Sequence, residues 1–174
     1  MAWRRAPWPT VRSVSLPPHS AVAAWYQAAD LADAFAVMLE GLGPNDVASL
    51  AERALRNPAP WVSTALAVRD LAVRPFGVLT SGEMRSRLER GGRDRVGFFP
   101  VLSRSAREIV LGEDDRHLDF RLSLLLDTRD DGQEILTATS VVRCHTLFGR
   151  AYLAAIHPGH VLVVRSALAR AGRR

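Results

Sequence analysis

The clearest pattern in the sequence is an alternation of polar and apolar residues in HLDFRLSLLLD, residues 117–127. Charged or polar side chains occupy one parity, apart from Leu125, and leucine or phenylalanine occupies the other. A period of two is typical of a strand with one buried face. EILTATSVVRCH, residues 134–145, also has strand character, and TRDDGQ between the two segments predicts a tight hairpin turn.

The turn residues predict the register of this hairpin. A three-residue loop, residues 130–132, with Gly132 in the left-handed conformation, places Asp119 opposite Arg143. A two-residue turn would mix polar and apolar side chains on each face, so the three-residue loop is favoured. The favoured register also pairs His117 with His145, Ser123 with Thr139, Leu118 with Cys144, Phe120 with Val142, and Leu126 with Leu136.

The remaining pattern predicts helices and further strands. Asn45 or Asp46 caps a helix that continues to residue 56, and a second helix covers 61–73. The closing helix covers about 148–170 and is interrupted or kinked at Pro158-Gly159. Strands are predicted for the segments 32–40, 98–105, 106–113, 116–127 and 134–145.

The distribution of prolines predicts the domain limits. Four of the ten prolines lie in the first 18 residues, so residues 1–24 are expected to form a flexible arm. Residues 25–172 are expected to form a single domain. The charged, glycine-containing segment 81–95 predicts a solvated loop, with an anion-binding lid as the alternative.

Length and charge limit the function classes. The 174 residues, 48% of them hydrophobic, fit one domain with a core of its own. The formal charge of +5 arises at the termini, where six arginines lie in the first twelve and last five residues. The rest of the chain has 17 arginines against 18 acidic residues, so no basic face for nucleic acid is expected.

The single cysteine and the absence of a long apolar segment predict a cytoplasmic protein. Cys144 has no partner for an internal disulfide. We find no apolar run of 18 residues and no apolar stretch of signal-peptide length behind the N-terminus, so no membrane association is expected.

The polar parity of the hairpin gathers candidate catalytic residues. His117, Asp119 and His145 have the composition of an acid–base group, since a carboxylate can orient an imidazole. Arg121 and Arg143 complete a polar cluster on the same face. A solvated sheet face, a subunit interface and a polar ligand site are the three interpretations, and the first needs no functional explanation.

The sequence gives little support for a metal site or a cofactor-binding site. Zinc binding by His145, His157 and His160 is disfavoured because Pro158-Gly159 disturbs the helical spacing of the last two. Cys144 and His145 are strand neighbours and point to opposite faces, which disfavours a Cys-His dyad. The sequence contains no dinucleotide-binding loop and no GxSxG segment, so no metal and no cofactor are expected.

Four segments carry a resemblance to a known family: DAF in the first strand, PAPWV at the second helix, LGEDDRHLDFR, and GRAYLAAIHPGHVLVV. Over roughly residues 26–170 the chain resembles the bacterial family named domain of unknown function 2867. That family is distantly similar to the helix-grip superfamily, which includes lipid-transfer domains and aromatic polyketide cyclases.

The resemblance implies an α+β fold in which a curved antiparallel sheet of about five or six strands packs on two short helices and a long C-terminal helix. It also implies a ligand site between the apolar sheet face and that helix, with Ser140, Tyr152 and His157 as polar groups. A filled core is the alternative. The expected lining residues are Trp61, Phe120, Leu122, Val142, Tyr152 and Ile156.

We expect one of three functions from this arrangement. The leading one is a domain that binds a small apolar or aromatic molecule, with no assigned reaction. The second is a cyclase-like or dehydratase-like enzyme acting on a polyketide-type intermediate. The third is a structural domain that forms a homodimer through the polar sheet face.

Overall fold

The computed structural model describes residues 10–40, 45–56, 58–73, 94–97 and 99–173. Within these residues seven strands form one antiparallel sheet in the order β1-β2-β7-β6-β5-β4-β3. The strands are β1 (Arg12–Ser13), β2 (Leu31–Met38), β3 (Arg95–Val96), β4 (Phe99–Arg104), β5 (Glu108–Asp114), β6 (Leu118–Thr128) and β7 (Glu134–Cys144).

The expected fold class, α+β with an open curved antiparallel sheet and a long C-terminal helix, is confirmed. The strand count differs from the predicted five or six because two of the strands, β1 and β3, have only two residues each. Two residues cannot display a period of two, so hydrophobic periodicity does not detect such strands.

Three α-helices accompany the sheet: α1 (Val47–Leu55), α2 (Pro60–Val73) and α3 (Leu147–Ala171). The carboxylate of Asp46 accepts a hydrogen bond from Ser49 N at 2.9 Å and begins α1 as predicted. Thr146 caps α3 in the same way through Gly149 N, at 3.0 Å. α3 packs on β2, β7 and α1.

The predicted interruption of the closing helix is wrong, because α3 continues through Pro158 without a break. Proline removes one backbone donor from a helix, but it does not end a helix that tertiary contacts hold on both sides of it. Leu153 before Pro158 and Val164 after it are both buried against the sheet.

The β6–β7 hairpin has the predicted turn and register. Gly132 has φ +78°, and Arg129 N donates to the carbonyl of Gln133 at 2.8 Å across the three-residue loop. Asp119 pairs with Arg143. The pairs Leu118–Cys144, Phe120–Val142, Ser123–Thr139 and Leu126–Leu136 are also as predicted.

The main core lies between the sheet and the helices α1 and α3. It contains Leu124 and Leu126 from the leucine-rich parity of the hairpin, so the prediction that helices cover this face is confirmed for α1 and α3. The sheet contributes Phe35, Val37, Ile109, Leu111, Leu124, Leu126, Leu136 and Ala138, and the helices contribute Val47, Leu50, Ala51, Ala54, Val164, Ala167, Leu168 and Ala171.

The opposite sheet face is covered by residues 19–29, which we call the N-terminal cover. A 3₁₀ helix, Ala23–Ala28, lies within it, and Val22 packs against Val110 and Val141. Ser20 Oγ donates to Glu108 Oε1 at 2.7 Å. The segment that we expected to be a flexible arm is therefore packed against the rest of the protein from residue 10 onward. Its prolines are compatible with an extended chain that tertiary contacts hold in place.

Two expectations fall on undescribed parts of the chain. Residues 1–9 of the predicted arm lie outside the described residues. The predicted loop 81–95 also lies outside them, apart from Asp94 and Arg95.

Helix α3 is long and apolar enough to cross a membrane by length and composition, since its best 18-residue window has a mean hydropathy of 1.2. The search for an unbroken apolar run missed this, because two histidines and several small residues interrupt the pattern. Only 17% of that window is buried, and its buried residues pack on the sheet.

Candidate functional site

The inner side of α3 changes from apolar to polar and back along its length. Near the start of the helix, Leu153 packs with Val142 and Cys144. Near its end, Val164 and Leu168 belong to the main core. His157 and His160 lie between these two apolar regions, three residues apart and so on the same side of the helix.

Asp33 lies on the sheet beneath these histidines. It belongs to β2 and is the cross-strand partner of Ser140 on β7. Its parity is that of Phe35 and Val37, which are core residues, so the strand directs this carboxylate toward α3. The Asp33 side chain is 17% exposed, and among the described residues neither of its oxygens has a hydrogen-bond partner.

The four side chains form a compact group, which we call the quartet: Asp33, Ser140, His157 and His160. His160 Nε2 lies 3.1 Å from Ser140 Oγ, which is hydrogen-bond distance. The Nε2 atoms of His160 and His157 lie 3.6 and 3.8 Å from Asp33 Oδ2. These two separations allow charge attraction but exceed the length of a good hydrogen bond.

An apolar surface adjoins the quartet on the α3 side of the sheet. Ser140 is opposite Leu122 on β6, and the next pair on the same face joins Val142 to Phe120. The rings of Phe120 and Phe99 make an edge-to-face contact at 5.7 Å. We call Phe99, Val101, Phe120 and Leu122 the platform, and all four are half-buried.

The expected ligand-binding residues are distributed unevenly. Phe120 and Val142 lie in one apolar cluster beside the quartet, and Leu122 packs against the main core. Tyr152 stacks on Phe148 at 6.4 Å on the first half of α3. Ile156 on α3 is half-buried, and Trp61 at the start of α2 is 45% exposed.

On the opposite face, the structure joins two of the three proposed acid–base residues. His145 Nε2 lies 2.9 Å from Asp119 Oδ2. The ring of His117 instead contacts Phe148, with centroids 5.0 Å apart, and its Nδ1 lies 3.3 Å from Thr146 Oγ1. The sequence-based trio is therefore not assembled as one group.

The predicted arginine pair lies on either side of a tryptophan. The guanidinium carbons of Arg121 and Arg143 are each 4.1 Å from the ring centroid of Trp25 in the N-terminal cover. Arg121 also pairs with Asp114 at 2.6 Å, and Arg143 donates to the carbonyl of Ala24 at 3.3 Å. This face is therefore a packed interface within the chain rather than an open sheet surface.

The cysteine and the histidines do not build a redox or metal group. Cys144 lies on the α3 face and His145 on the other, as the strand alternation predicts. Burial raises the pKa of the Cys144 thiol, with a further contribution from the charge of Asp30. Within the described part of the chain, no three histidine, cysteine or acidic side chains are placed to hold a metal ion.

A cleft open to solvent lies between α1 and β4. Three of its charged groups have partners within the cleft, since Asp46 accepts from Ser49 and Arg104 lies 2.9 Å from Asp94. Because these charges are already compensated, the cleft is a weaker candidate than the quartet. Its lining residues are Asp46, Ala48, Ser49, Glu52, Asp94, Arg95, Val96 and Arg104.

One comparison with known proteins assigns a family. The family model described as "Protein of unknown function (DUF2867)" matches residues 25–167. The chain belongs to the DUF2867 family. The matched range of this DUF2867 domain contains the whole quartet and platform, and no curated protein and no solved structure matches the chain.

Sequence analysis missed Asp33 as a site residue of this DUF2867 domain. Its signal was present, because Asp33 interrupts the apolar parity of LADAFAVM at an inward position. The predicted break at Pro158-Gly159 concealed the second half of the site, since it separated two histidines that the continuous helix places together.

Proposed function

We propose that this protein binds a small molecule with an apolar or aromatic body on the α3 side of the sheet, in an arrangement of helix-grip type. The platform receives the apolar body, and the quartet binds a polar group of the ligand.

The order of elements supports the helix-grip comparison. Strand β2 is followed by α1 and α2, then by the meander β3–β7, and finally by α3, which returns to lie on β2 and β7. β2 pairs with β7, so the first long strand and the last are neighbours at the centre of the α3 contact. This order is similar to that of helix-grip proteins, where ligands lie between the sheet and the last helix.

The observation that carries the proposal is the Asp33 carboxyl group. Both of its oxygens are buried, and within the described residues neither has a hydrogen-bond partner. A buried polar group without a partner costs about 1–3 kcal/mol of stability, and proteins leave few such groups. A ligand that donates hydrogen bonds to Asp33 would remove this cost. An apolar residue at position 33 would not incur the cost at all, so a role in ligand binding accounts for the carboxylate at this position.

Exposure along one side of α3 supports access to the quartet. The His157 side chain is 44% exposed and that of His160 is 27% exposed, while Asp33 lies deeper. The half-buried platform continues from the quartet across β6 and β4. A ligand can therefore contact an apolar surface and reach Asp33 through a rearrangement of the two imidazoles.

An enzyme of cyclase or dehydratase type is the second candidate, and the contact between His160 and Ser140 favours it. An imidazole 3.1 Å from a hydroxyl, beside a carboxylate, is a group that can move protons. The quartet would then act on the polar group that it binds.

A fluorescence titration with N-phenyl-1-naphthylamine, an apolar aromatic probe, tests the binding proposal. We expect saturable fluorescence enhancement with the wild-type protein. Leu122→Ala on the platform should weaken binding several-fold, and Ile135→Ala, which shortens a half-buried aliphatic chain on the other sheet face, should not. Circular dichroism checks that both variants fold. No saturable enhancement, or equal binding by Leu122→Ala, would overturn the proposal.

A further inference from the structure

We infer that the ligand of the quartet carries a primary ammonium group, which the carboxylate of Asp33 binds together with the hydroxyl of Ser140, itself hydrogen-bonded to His160. The inference rests on the proposed binding function and specifies the chemical class of the ligand: an amine with an apolar or aromatic body.

The quartet brings several hydrogen-bond acceptors close together. Asp33 offers two carboxylate oxygens, and Ser140 Oγ and His160 Nε2 lie next to it. A carboxylate accepts hydrogen bonds only, and a hydroxyl or a neutral imidazole nitrogen can also accept. A primary ammonium has three N–H donors, which matches the two carboxylate oxygens of Asp33 and the hydroxyl oxygen of Ser140, whose own proton can be donated to His160 Nε2.

The charge of the site favours a cation over a neutral donor. A buried carboxylate is strongly destabilised unless a positive charge and hydrogen bonds accompany it. Within the described residues, the basic side chains within ion-pair distance of Asp33 are His157 and His160, and neither carries a permanent charge. At 3.8 and 3.6 Å they make no hydrogen bond with it, so the Asp33 oxygens keep their acceptor capacity.

The arginines of α3 are engaged elsewhere. Arg150 Nε binds Asp30 Oδ1 at 3.1 Å, Arg165 donates to the carbonyl of Val11, and Arg170 donates to the carbonyl of Ala54. The platform strand β6 offers only Phe120 and Leu122 to this region, neither of which carries charge. The chain therefore brings no arginine to Asp33 from α3 or from the platform strand.

A metal ion is the other kind of cation that a carboxylate and two imidazoles can bind. Within the described residues, however, the quartet does not have the placement of a metal-binding group. An organic cation tolerates the wider spacing of these side chains, because each N–H can reach a different acceptor over about 2.8–3.0 Å.

Two probes that share one ring system test the inference. 1-Naphthylmethylamine and 1-naphthalenemethanol differ in whether the methylene carries an amine or a hydroxyl group. Each is used to displace N-phenyl-1-naphthylamine from the wild-type protein at pH 8. We expect the amine to act at a concentration at least tenfold lower than the alcohol.

Two variants assign this preference to a residue. Asp33→Asn should reduce the amine-to-alcohol ratio to about one while the fluorescent probe still binds. Asp127→Asn is the matched control, because Asp127 also pairs with a histidine, His19 at 3.1 Å, but on the other sheet face. That variant should retain the wild-type ratio.

The outcomes separate the two proposals. If the fluorescent probe binds in a Leu122-dependent manner but amine and alcohol displace it equally, the ammonium inference is wrong and the binding function stands. An amine preference that persists in Asp33→Asn also overturns the inference. A wild-type ratio near one overturns the inference even if Asp33→Asn does not fold.

Discussion

Asp119 and Arg143 are directly opposite each other on β6 and β7, yet each has a different main partner. The carboxylate of Asp119 binds His145 at 2.9 Å, and the guanidinium of Arg143 lies over the ring of Trp25. Register places these two residues side by side, but the N-terminal cover and the end of β7 decide which groups they bind.

The Asp119–His145 pair should contribute little to stability. The two side chains are 20% and 46% exposed, and pairs of this kind typically contribute less than about 1 kcal/mol. We therefore expect Asp119→Asn to change the free energy of unfolding by less than about 1 kcal/mol in urea denaturation. Binding of N-phenyl-1-naphthylamine should be unchanged. A loss of several kcal/mol would show that this face holds a buried charged site instead.

Removing the Asp33 carboxylate should stabilise the protein in the absence of ligand. Asp33→Leu eliminates two buried acceptors that have no hydrogen-bond partner among the described residues, so the free energy of unfolding should rise by about 1–2 kcal/mol.

Asp30→Leu, on the same segment, is the matched comparison for this experiment. Asp30 accepts from Cys144 N at 2.7 Å and from Arg150 Nε at 3.1 Å, and the bond from Cys144 is the main reason that the pKa of Asp30 is lowered. Its replacement should lower stability. If both variants lose the same free energy of unfolding, the Asp33 carboxylate has hydrogen-bond partners in the folded protein.

Deleting residues 1–20 should be costly, although the sequence alone predicted a small effect. The deletion removes β1, the buried Val11, and the Ser20 hydroxyl that donates to Glu108. A loss of about 3 kcal/mol is expected, which lowers Tm on the order of 10 °C for a chain of this size. Ser15→Ala, at an exposed position, should leave the melting curve unchanged. Differential scanning calorimetry of both proteins decides between the two expectations.

Gly132→Val should destabilise the hairpin for a conformational reason. A Cβ at Gly132 meets no atom within 4 Å, but φ is +78°, which costs a β-branched residue about 1–2 kcal/mol. Gly159 in α3 also has open space and lacks a positive φ, so Gly159→Ala should maintain or raise stability. Chemical denaturation of the two variants separates backbone strain from steric overlap.

The cap of α1 should give a pH-dependent contribution to stability. Hydrogen bonds from Ser49 lower the pKa of Asp46, so its stabilisation is present above the unfolded pKa and is lost as pH falls through the folded value. Asp46→Ala should cost about 1 kcal/mol at pH 7 and progressively less below about pH 4. Asp46→Asn, a good neutral cap, should be insensitive over the same pH range. Urea denaturation from pH 3 to 7 measures the difference.

The β6–β7 hairpin shows how much a local pattern can predict. The parity of residues 117–127 and the glycine at position 132 together determined the turn, the register and the buried face. These features depend on neighbours close in sequence, because a hairpin loop fixes the pairing of both strands at once. The helices α1 and α2 were predicted for the same reason, since caps and prolines near their ends define them.

The remaining features depend on contacts between distant segments. Prolines in the first 18 residues are compatible with a disordered arm or with a packed cover, and only the sheet face that receives Val22 and Ser20 decides which occurs. The continuity of α3 through Pro158 is similar, because packing on β2 and β7 compensates for the missing backbone hydrogen bond.

The sequence by itself determined the five longer strands, the hairpin register and the α+β class, since these follow from periodicity and turn chemistry. Only the tertiary structure brought Asp33 of β2 beneath His157 and His160 of α3, which are more than 120 positions away along the chain. A local sequence pattern does not predict a contact between residues so far apart in the chain. It arises because β2 pairs with β7 and α3 then folds back across both strands, so the packing of apolar surfaces places the polar quartet.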